Sequence, residues 1–363
     1  MRLQGVAGGN LFATDGQDLF VGPDPESLTL RSRLPTPTDA GLPGRALRDV
    51  RPVNRLLRWV VGDFQTTTAH PVTPQTVLAT AGRDLFVSND GGRNWSGRHR
   101  LHGSSPPFGV LPSAVCKHDG TLFVGEYPLA HDVTPRIFRS PDLGRSWSVI
   151  ELPDVRHVHA VQSDPFDGDV WVTTGDADAE CSIGRLRGDG VEPIGGGSQR
   201  WRAVEPAFTP SAVLWGMDCA YERNRIFRLD RDQLGNNEPE PQVVHTVDNS
   251  VFYSAVVPGD GTTTVAFSTV GGGGTDSSAP ERSVSTGECA DVVVSGSGSE
   301  FTDWTELATF RRRRSVTTRL ALDRLPTANA YVFLAALGGR LIVNPFNTVD
   351  HNCELLSIDT TDT

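Results

Sequence analysis

The sequence predicts an all-β chain folded as a seven-bladed β-propeller of four-stranded antiparallel blades. Three observations carry that expectation. Helical periodicity is nearly absent; short apolar runs rich in Val, Phe and Trp alternate with Gly, Pro, Asp and Asn, the pattern of many short strands. The segment "FATDGQDLFVGPD" (12–24) returns as "LATAGRDLFVSND" (78–90), an offset of 66 residues, and repeats of such length mark propellers and solenoids. Followed along the chain, the unit recurs seven times at an average of about 52 residues, the size of a four-stranded blade. Six blades is the alternative, because the first unit is short.

The strands follow in order. One strand type reads "DLFVG" (18–22), "DLFVS" (84–88), "RIFRS" (136–140), "SIGRL" (182–186), "RIFRL" (225–229), "DVVVS" (291–295) and "RLIVN" (340–344). Each is preceded by a partner: "LFAT" (11–14), "VLAT" (77–80), "TLFVG" (121–125), "DVWVT" (169–173), "VLWG" (213–216), "TVAFS" (264–268) and "YVFLA" (331–335). The partners read as second strands and the first set as third strands. A single domain, 1–363, accommodates all of them, with a Gly/Ser-rich loop insertion at about 270–290.

Composition narrows the function classes. Hydrophobic residues make up 37% and charged residues 21% of the chain, ordinary for a globular protein. The start "MRLQGVAGGN" has no apolar h-region, and no apolar run has the roughly 18 residues a membrane helix needs. The five cysteines are scattered without a CxxC pair, which suits free thiols in a reducing compartment. These features predict a cytoplasmic protein that does not engage membranes. Only one of the 33 basic residues is lysine (Lys117), Asp outnumbers Glu by 30 to 14, and the net charge is −11. Such a surface stays soluble when salt screens like-charge repulsion, as in a halophile; GC-rich codon usage, which favours Arg over Lys, is the simpler alternative. Neither predicts nucleic-acid binding. The one basic block, "RRRR" (311–314), reads as a solvated strand end.

"SNDGGRNW" (88–95) and "SPDLGRSW" (140–147) share the pattern S-x-D-x-G-x-x-W, and "SGSGSEFTDW" (295–304) reads as a decayed third copy. This pattern resembles the Asp-box of the sialidase-like (BNR-repeat) propellers. The resemblance implies that Ser88, Asp90, Gly92, Trp95, Ser140, Asp142, Gly144 and Trp147 are structural, forming the turn between the third and fourth strands of a blade. The chemistry of the turn agrees: Ser and Asp bond the turn's own backbone, Gly takes positive φ, and Trp packs between blades. Over residues 77–232 the chain also resembles sialidase-like proteins described only as glycosyl hydrolases or BNR-repeat proteins, through "GEY", "HVHAV", "DPFDGDVWVTTGDADAE", "GGSQRWRAV" and "WGMD".

A meandering blade sends its second-to-third turns and the links between blades to the face opposite the Asp-boxes. On that face the loops after the second strands are tight in blades one, two and seven: "DGQ" (15–17), "AGR" (81–83) and "ALGG" (336–339). They are long in blades three to six: "EYPLAHDVTP" (126–135), "TGDADAEC" (174–181), "MDCAYERN" (217–224) and the stretch 269–290. Long loops gathered on a rigid scaffold are where function is expected. The links "VRHVHA" (155–160) and "GGSQRWRAV" (196–204) add to this face. Alternation along the strand turns His157 and His159 to one side, towards or into the channel.

Three activities use such a set. Glycoside hydrolysis needs paired carboxyl groups; Glu126, Asp176, Asp178, Asp218 and Glu222 are the candidates. The sialidase resemblance implies a Tyr nucleophile, for which Tyr127 or Tyr221 would serve, and Arg clamps, for which Arg156, Arg202 and Arg223 would serve. The family's N-terminal Arg-Ile-Pro signature has no counterpart, since "PRIF" (135–138) begins a blade strand. His157, His159, Gln199, Arg202, Tyr221, Glu222 and Arg223 are expected to bind the substrate, a carbohydrate or glycan. The second activity is a metal-dependent polysaccharide lyase, with His131, His159 and Gln199 as candidate ligands and Mn or Ca as the divalent ion. The D-x-D-x-E run 176–180 would be the calcium loop, although Cys181 stands where such a loop needs Gly. The third is a non-catalytic binding or assembly-scaffold propeller.

Overall fold

The computed structural model describes residues 1–36, 67–103, 109–130, 132–272, 287–314 and 329–360. These residues form seven antiparallel sheets set in a ring. Blade one holds β1 (Arg2–Ala7), β2 (Asn10–Asp15), β3 (Asp18–Gly22) and β4 (Thr29–Arg33). Blade two holds β5 (Thr67–Pro71), β6 (Val77–Ala81), β7 (Asp84–Ser88) and β8 (Ser96–Arg100). Blade three holds β9 (Val115–His118), β10 (Thr121–Gly125), β11 (Arg136–Ser140) and β12 (Ser148–Glu151). Blade four holds β13 (His157–Ser163), β14 (Val170–Gly175), β15 (Ser182–Arg187) and β16 (Gly190–Gly196). Blade five holds β17 (Ala207–Phe208), β18 (Ala212–Gly216), β19 (Asn224–Asp230) and β20 (Gln242–Val247). Blade six holds β21 (Val251–Pro258), β22 (Thr263–Thr269), β23 (Cys289–Gly296) and β24 (Thr305–Arg311). Blade seven holds β25 (Tyr331–Leu337), β26 (Arg340–Phe346) and β27 (Leu356–Asp359).

The chain is therefore a seven-bladed propeller, and the six-bladed alternative fails. In blades one to six the predicted pairs are the second and third strands, as the repeat required. Blade seven differs. "YVFLA" lies in β25, which packs against the inner strands β21 and β1 and so is itself the innermost strand. "RLIVN" is then the second strand of its sheet, and "ALGG" is a first-to-second turn on the opposite face. The periodicity of apolar residues is the same for any buried strand, so it cannot number strands within a blade.

The ring closes between blades seven and one. The Leu3 N–H donates to Asn344 Oδ1 at 2.8 Å, and Asn344 Nδ2 donates to the Met1 carbonyl at 3.1 Å. Apolar clusters fill the wedges between blades. Beneath blades four and five lie Trp171, Trp201, Trp215, Phe208 and Phe227, with Trp201 and Trp215 stacked at 5.4 Å. Burying such rings supplies a large share of the local stability, about 2–3 kcal/mol each.

The two S-x-D-x-G-x-x-W segments join third to fourth strands and share one hydrogen-bond scheme. Asp90 Oδ1 accepts from the N–H groups of Arg93 and Asn94, each at 2.9 Å, and the Gly92 N–H donates to Ser88 Oγ at 2.9 Å. Asp142 Oδ1 accepts from Arg145 and Ser146 at 3.0 and 2.8 Å, and Gly144 donates to Ser140 Oγ at 2.7 Å. Gly92 and Gly144 sit at φ 82° and 86°, where a Cβ is strained. These carboxylates serve their own turns, which holds Asp90 and Asp142 at about 2. On the same face, buried Asp164 forms a two-pronged ion pair with Arg231 of blade five at 2.8 and 2.9 Å.

The basic block is only partly the solvated end that was expected. Arg311 is exposed, but Arg312 is buried and bridged to Thr348 of blade seven. Its neighbour Arg314 pairs with Glu288 at 3.7 Å. No helix among the described residues is long and apolar enough to cross a membrane.

Candidate functional site

The site is built where three connections of blades three to five meet. β13 carries His157 and His159. Strict alternation would hold them on one side, but the strand bulges between Val158 and Ala160. A bulge re-aims side chains, and here both imidazoles still reach Asp176. Asp176 follows β14 directly. Its carboxylate lies 3.0 Å from His157 Nδ1, 3.7 Å from His159 Nε2, 3.4 Å from Arg156 Nε and 3.0 Å from Arg202 Nη2. The same Arg202 nitrogen reaches Asp218 at 3.2 Å, so one guanidinium bridges two carboxylates.

Backbone anchoring explains why these side chains hold station. A short 3-10 turn, Gln199–Trp201, is pinned from below by Trp201 on Trp215, whose indole N–H donates to the Arg200 carbonyl at 2.7 Å. That leaves Gln199 and Arg202 directed at blade four, where Gln199 Nε2 and Arg202 Nη1 both donate to the Asp176 carbonyl, at 2.9 and 3.2 Å. Gly175 makes the close approach possible. A Cβ there would stand 2.8 Å from His159 Cε1 and 3.0 Å from Arg202 Cγ. Tyr127, from the blade-three loop, stacks on His157 at 3.8 Å between ring centroids.

Electrostatics fix the charge state. Burial works against the Asp176 charge, yet the hydrogen bonds from His157 and His159 and the Arg202 guanidinium hold its carboxyl far below the usual range. Burial likewise disfavours the Arg202 charge, but Asp218 and Asp176 outweigh it and keep the guanidinium protonated. Burial pushes His157 down, against the pull of Asp176, so its imidazole is neutral at neutral pH.

The run "DADAE" divides three ways instead of forming one cluster. Asp176 joins the histidines and arginines. Asp178 accepts from Gln199 Nε2 at 2.8 Å and from the Tyr221 hydroxyl at 3.1 Å; burial first, and Asp178 second, push the Tyr221 phenol up. Glu180 turns back to the N–H groups of Asp176 and Ala177, at 3.2 and 2.8 Å, and caps its own turn. Three carboxylates with separate partners do not make the calcium loop that the spacing suggested.

The structure brings together Asp176, Asp178, Asp218, His157, His159, Gln199, Arg202, Tyr221 and, by stacking, Tyr127. It does not bring in three others in the way expected. Glu126 is fully buried and its Oε1 accepts from the Gly103 N–H at 3.0 Å, a bond that ties blade three to the end of blade two. Glu222 is exposed, and Arg223 is exposed and reaches Asp248 at 3.7 Å. Loop membership alone cannot tell an inward from an outward side chain. Arg156, expected as a clamp, does reach Asp176. His131 lies outside the described residues.

His157, His159 and Asp176 each offer one ligand atom, all within 4.8 Å of one another, the grouping a divalent metal would need. The surrounding charge opposes one. Two guanidinium groups already lie on the Asp176 carboxylate, and a dication there would meet both. The donor set fits a charge-balanced polar node better than a metal centre.

No protein-family model matches the sequence, and no curated protein does. Solved structures resemble the fold at low identity. An ancestral GH74 enzyme superposes with a TM-score of 0.53 at 11% identity, over 98% of this chain and 44% of that one. The GH74 xyloglucanase from Xanthomonas campestris gives 0.51 at 12% identity, over 97% of this chain and 52% of that one. The β-propeller domain of Cps50 (Swd1) from Myceliophteria thermophila gives 0.52 at 10% identity, over 98% and 95%. This chain thus spans about half the length of the GH74 enzymes. At such identities the likeness establishes the propeller architecture alone, and one architecture serves unrelated functions.

Proposed function

We propose that this protein is a sialidase-like propeller that acts on a carbohydrate by glycoside hydrolysis, at the loop face over blades three to five. The observation that carries the proposal is the pair Asp176 and Asp218 bridged by one Arg202 nitrogen, at 3.0 and 3.2 Å. Sharing one guanidinium nitrogen limits how far apart the two carboxylates can stand, to a range that includes the roughly 5–5.5 Å separation of retaining glycosidases. Asp176, held ionised, is suited to stabilise a developing positive charge on a sugar ring or to attack it, and not to donate the proton. The S-x-D-x-G-x-x-W turns, which match the Asp-box pattern in sequence and bond as such turns should, support the family resemblance. GH74 enzymes among the structural neighbours are in keeping with a carbohydrate ligand. The experiment is release of reducing sugar from a glycan panel by the wild type, Asp176→Asn and Asp218→Asn. Loss of turnover in both variants is expected; turnover unchanged in both sinks the assignment.

One observation favours a second reading, a binding or scaffold propeller. The Asp176 carboxylate is already surrounded by protein groups, Arg156, His157, His159 and Arg202, as in a node that braces loops. On that reading the wild type binds a glycan or a protein partner and releases no sugar. The Cps50 propeller domain among the neighbours shares this architecture.

A further inference from the structure

The opposite face carries a cleft that the proposed carbohydrate site does not use. It opens between blades two and three, between the two S-x-D-x-G-x-x-W turns, with a volume of about 360 Å³. Val87, Gly97, His99, Gly144, Arg145 and Trp147 are among its lining residues. The rings of His99 and Trp147 lie 5.4 Å apart at 31°. A matching stack, His245 on Trp304 at 5.9 Å, occurs between blades five and six, so the ring pair by itself is part of the repeat. One feature is particular to the first copy. His99 Nε2 is fully buried and has no hydrogen-bond partner among the described residues, whereas no such orphan occurs at His245. A buried polar atom without a partner is costly and rare; this one is closed off from solvent, so His99 meets the cleft through the rest of its ring. Burial also pushes His99 down, which leaves a neutral imidazole with one donor and one acceptor.

The other groups define what would fit. Trp147 spends its indole N–H on the Gly144 carbonyl at 3.2 Å, so the ring offers only apolar surface. Gly97 and Gly144 present bare backbone. The Arg145 side chain has no ion pair among the described residues, because Asp142 beside it is occupied with its own turn. An apolar ring surface, a neutral imidazole and an unpaired guanidinium together suit a small polyol that carries one negative charge. The volume is at the small end of the range for ligand sites, about 300–1,000 Å³, and so suits a single sugar ring. We infer that this cleft binds an acidic monosaccharide unit, its ring on Trp147 and His99 and its carboxylate on Arg145. The inference stands independently of the catalytic proposal, because the two sites share no residue.

The test uses the full chain, with free glucuronate as probe and glucose as its uncharged counterpart, followed by saturation-transfer NMR and equilibrium titration. Saturable glucuronate binding is expected, at least tenfold weaker for glucose. Arg145→Gln should weaken glucuronate at least tenfold, and His99→Gln should also weaken it. Asp176→Asn, on the other face, should leave it unchanged. Near-UV circular dichroism matching the wild type establishes that each variant is folded, and Arg145, at the surface, is the substitution least able to disturb the fold. Three results would each overturn the inference: no saturable glucuronate binding, binding unchanged in Arg145→Gln, or binding lost in Asp176→Asn but kept in Arg145→Gln.

Discussion

Asp176 and His157 face each other at 3.0 Å, carboxylate to Nδ1, with both side chains largely out of water. The hydrogen bond from His157 helps to keep the carboxylate ionised, whereas burial keeps the imidazole neutral against the pull of Asp176. Asp176→Asn removes the charge but keeps the shape. It leaves Arg156 and Arg202 without their shared anion, and breaking a buried pair from one side costs about 3–5 kcal/mol. These pairs are partly exposed, so about half that is expected. Glycan turnover should fall with it, and urea titration alongside the turnover assay separates the two effects. A variant as stable as the wild type would argue against Asp176 as the centre of the node.

Gly175→Ala tests the close approach. The added methyl meets His159 at a distance relaxed Cβ atoms do not adopt and Arg202 at a tight one, and overpacking of this kind costs about 1–3 kcal/mol. Displacement of Arg202 should reduce turnover at least tenfold while the near-UV circular dichroism of the remaining blades persists. Unaltered activity would mean that Arg202 position is not critical.

Arg231→Ala probes the link between blades four and five on the other face. It strands Asp164, which is fully buried. Loss of about 3–5 kcal/mol is expected, with turnover at the loop face unchanged below the melting transition. Thermal denaturation and turnover at 25 °C check the two halves.

Two groups away from the node, buried His70 and half-buried Glu205, give opposite pH responses. Burial lowers His70 to about 3, with Arg2 adding to the effect. Its neutral form is favoured on folding, so that contribution is complete above 6.5 and declines as pH falls towards 3. Burial raises Glu205 to about 7, against a hydrogen bond from the Ser254 N–H at 2.9 Å. The sign is reversed: its contribution is complete below 4.5 and is lost as pH rises through 7. Glu205→Gln should therefore stabilise the protein at pH 8 relative to pH 5, by up to about 3 kcal/mol. Denaturant midpoints at pH 5 and 8 check it; equal shifts at both would refute the assigned burial.

The propeller was legible because each blade repeats its apolar runs, 43 to 66 residues apart, and "DLFVG" and "DLFVS" do land on corresponding strands, β3 and β7. Blade seven misled because an inner strand and a second strand are equally apolar. At the site, the chain order of loops led to Asp176, His157, His159, Gln199, Arg202 and Asp218. It gave no warning that Glu126 turns to Gly103, or that Glu180 caps its own turn, since both outcomes depend on side-chain direction at a loop. The anchoring by Trp201 and Trp215 was likewise invisible: their contact joins the link after blade four to the second strand of blade five, and apolar spacing does not show which buried ring meets which.

That stacked indole pair has an optical consequence. Two indoles 5.4 Å apart and 21° from parallel couple their transitions and should give an exciton couplet in the ultraviolet circular dichroism. The pair underlies the turn that carries Gln199 and Arg202. A ligand that shifts this turn should alter the couplet, giving an unlabelled reporter of occupancy on the loop face.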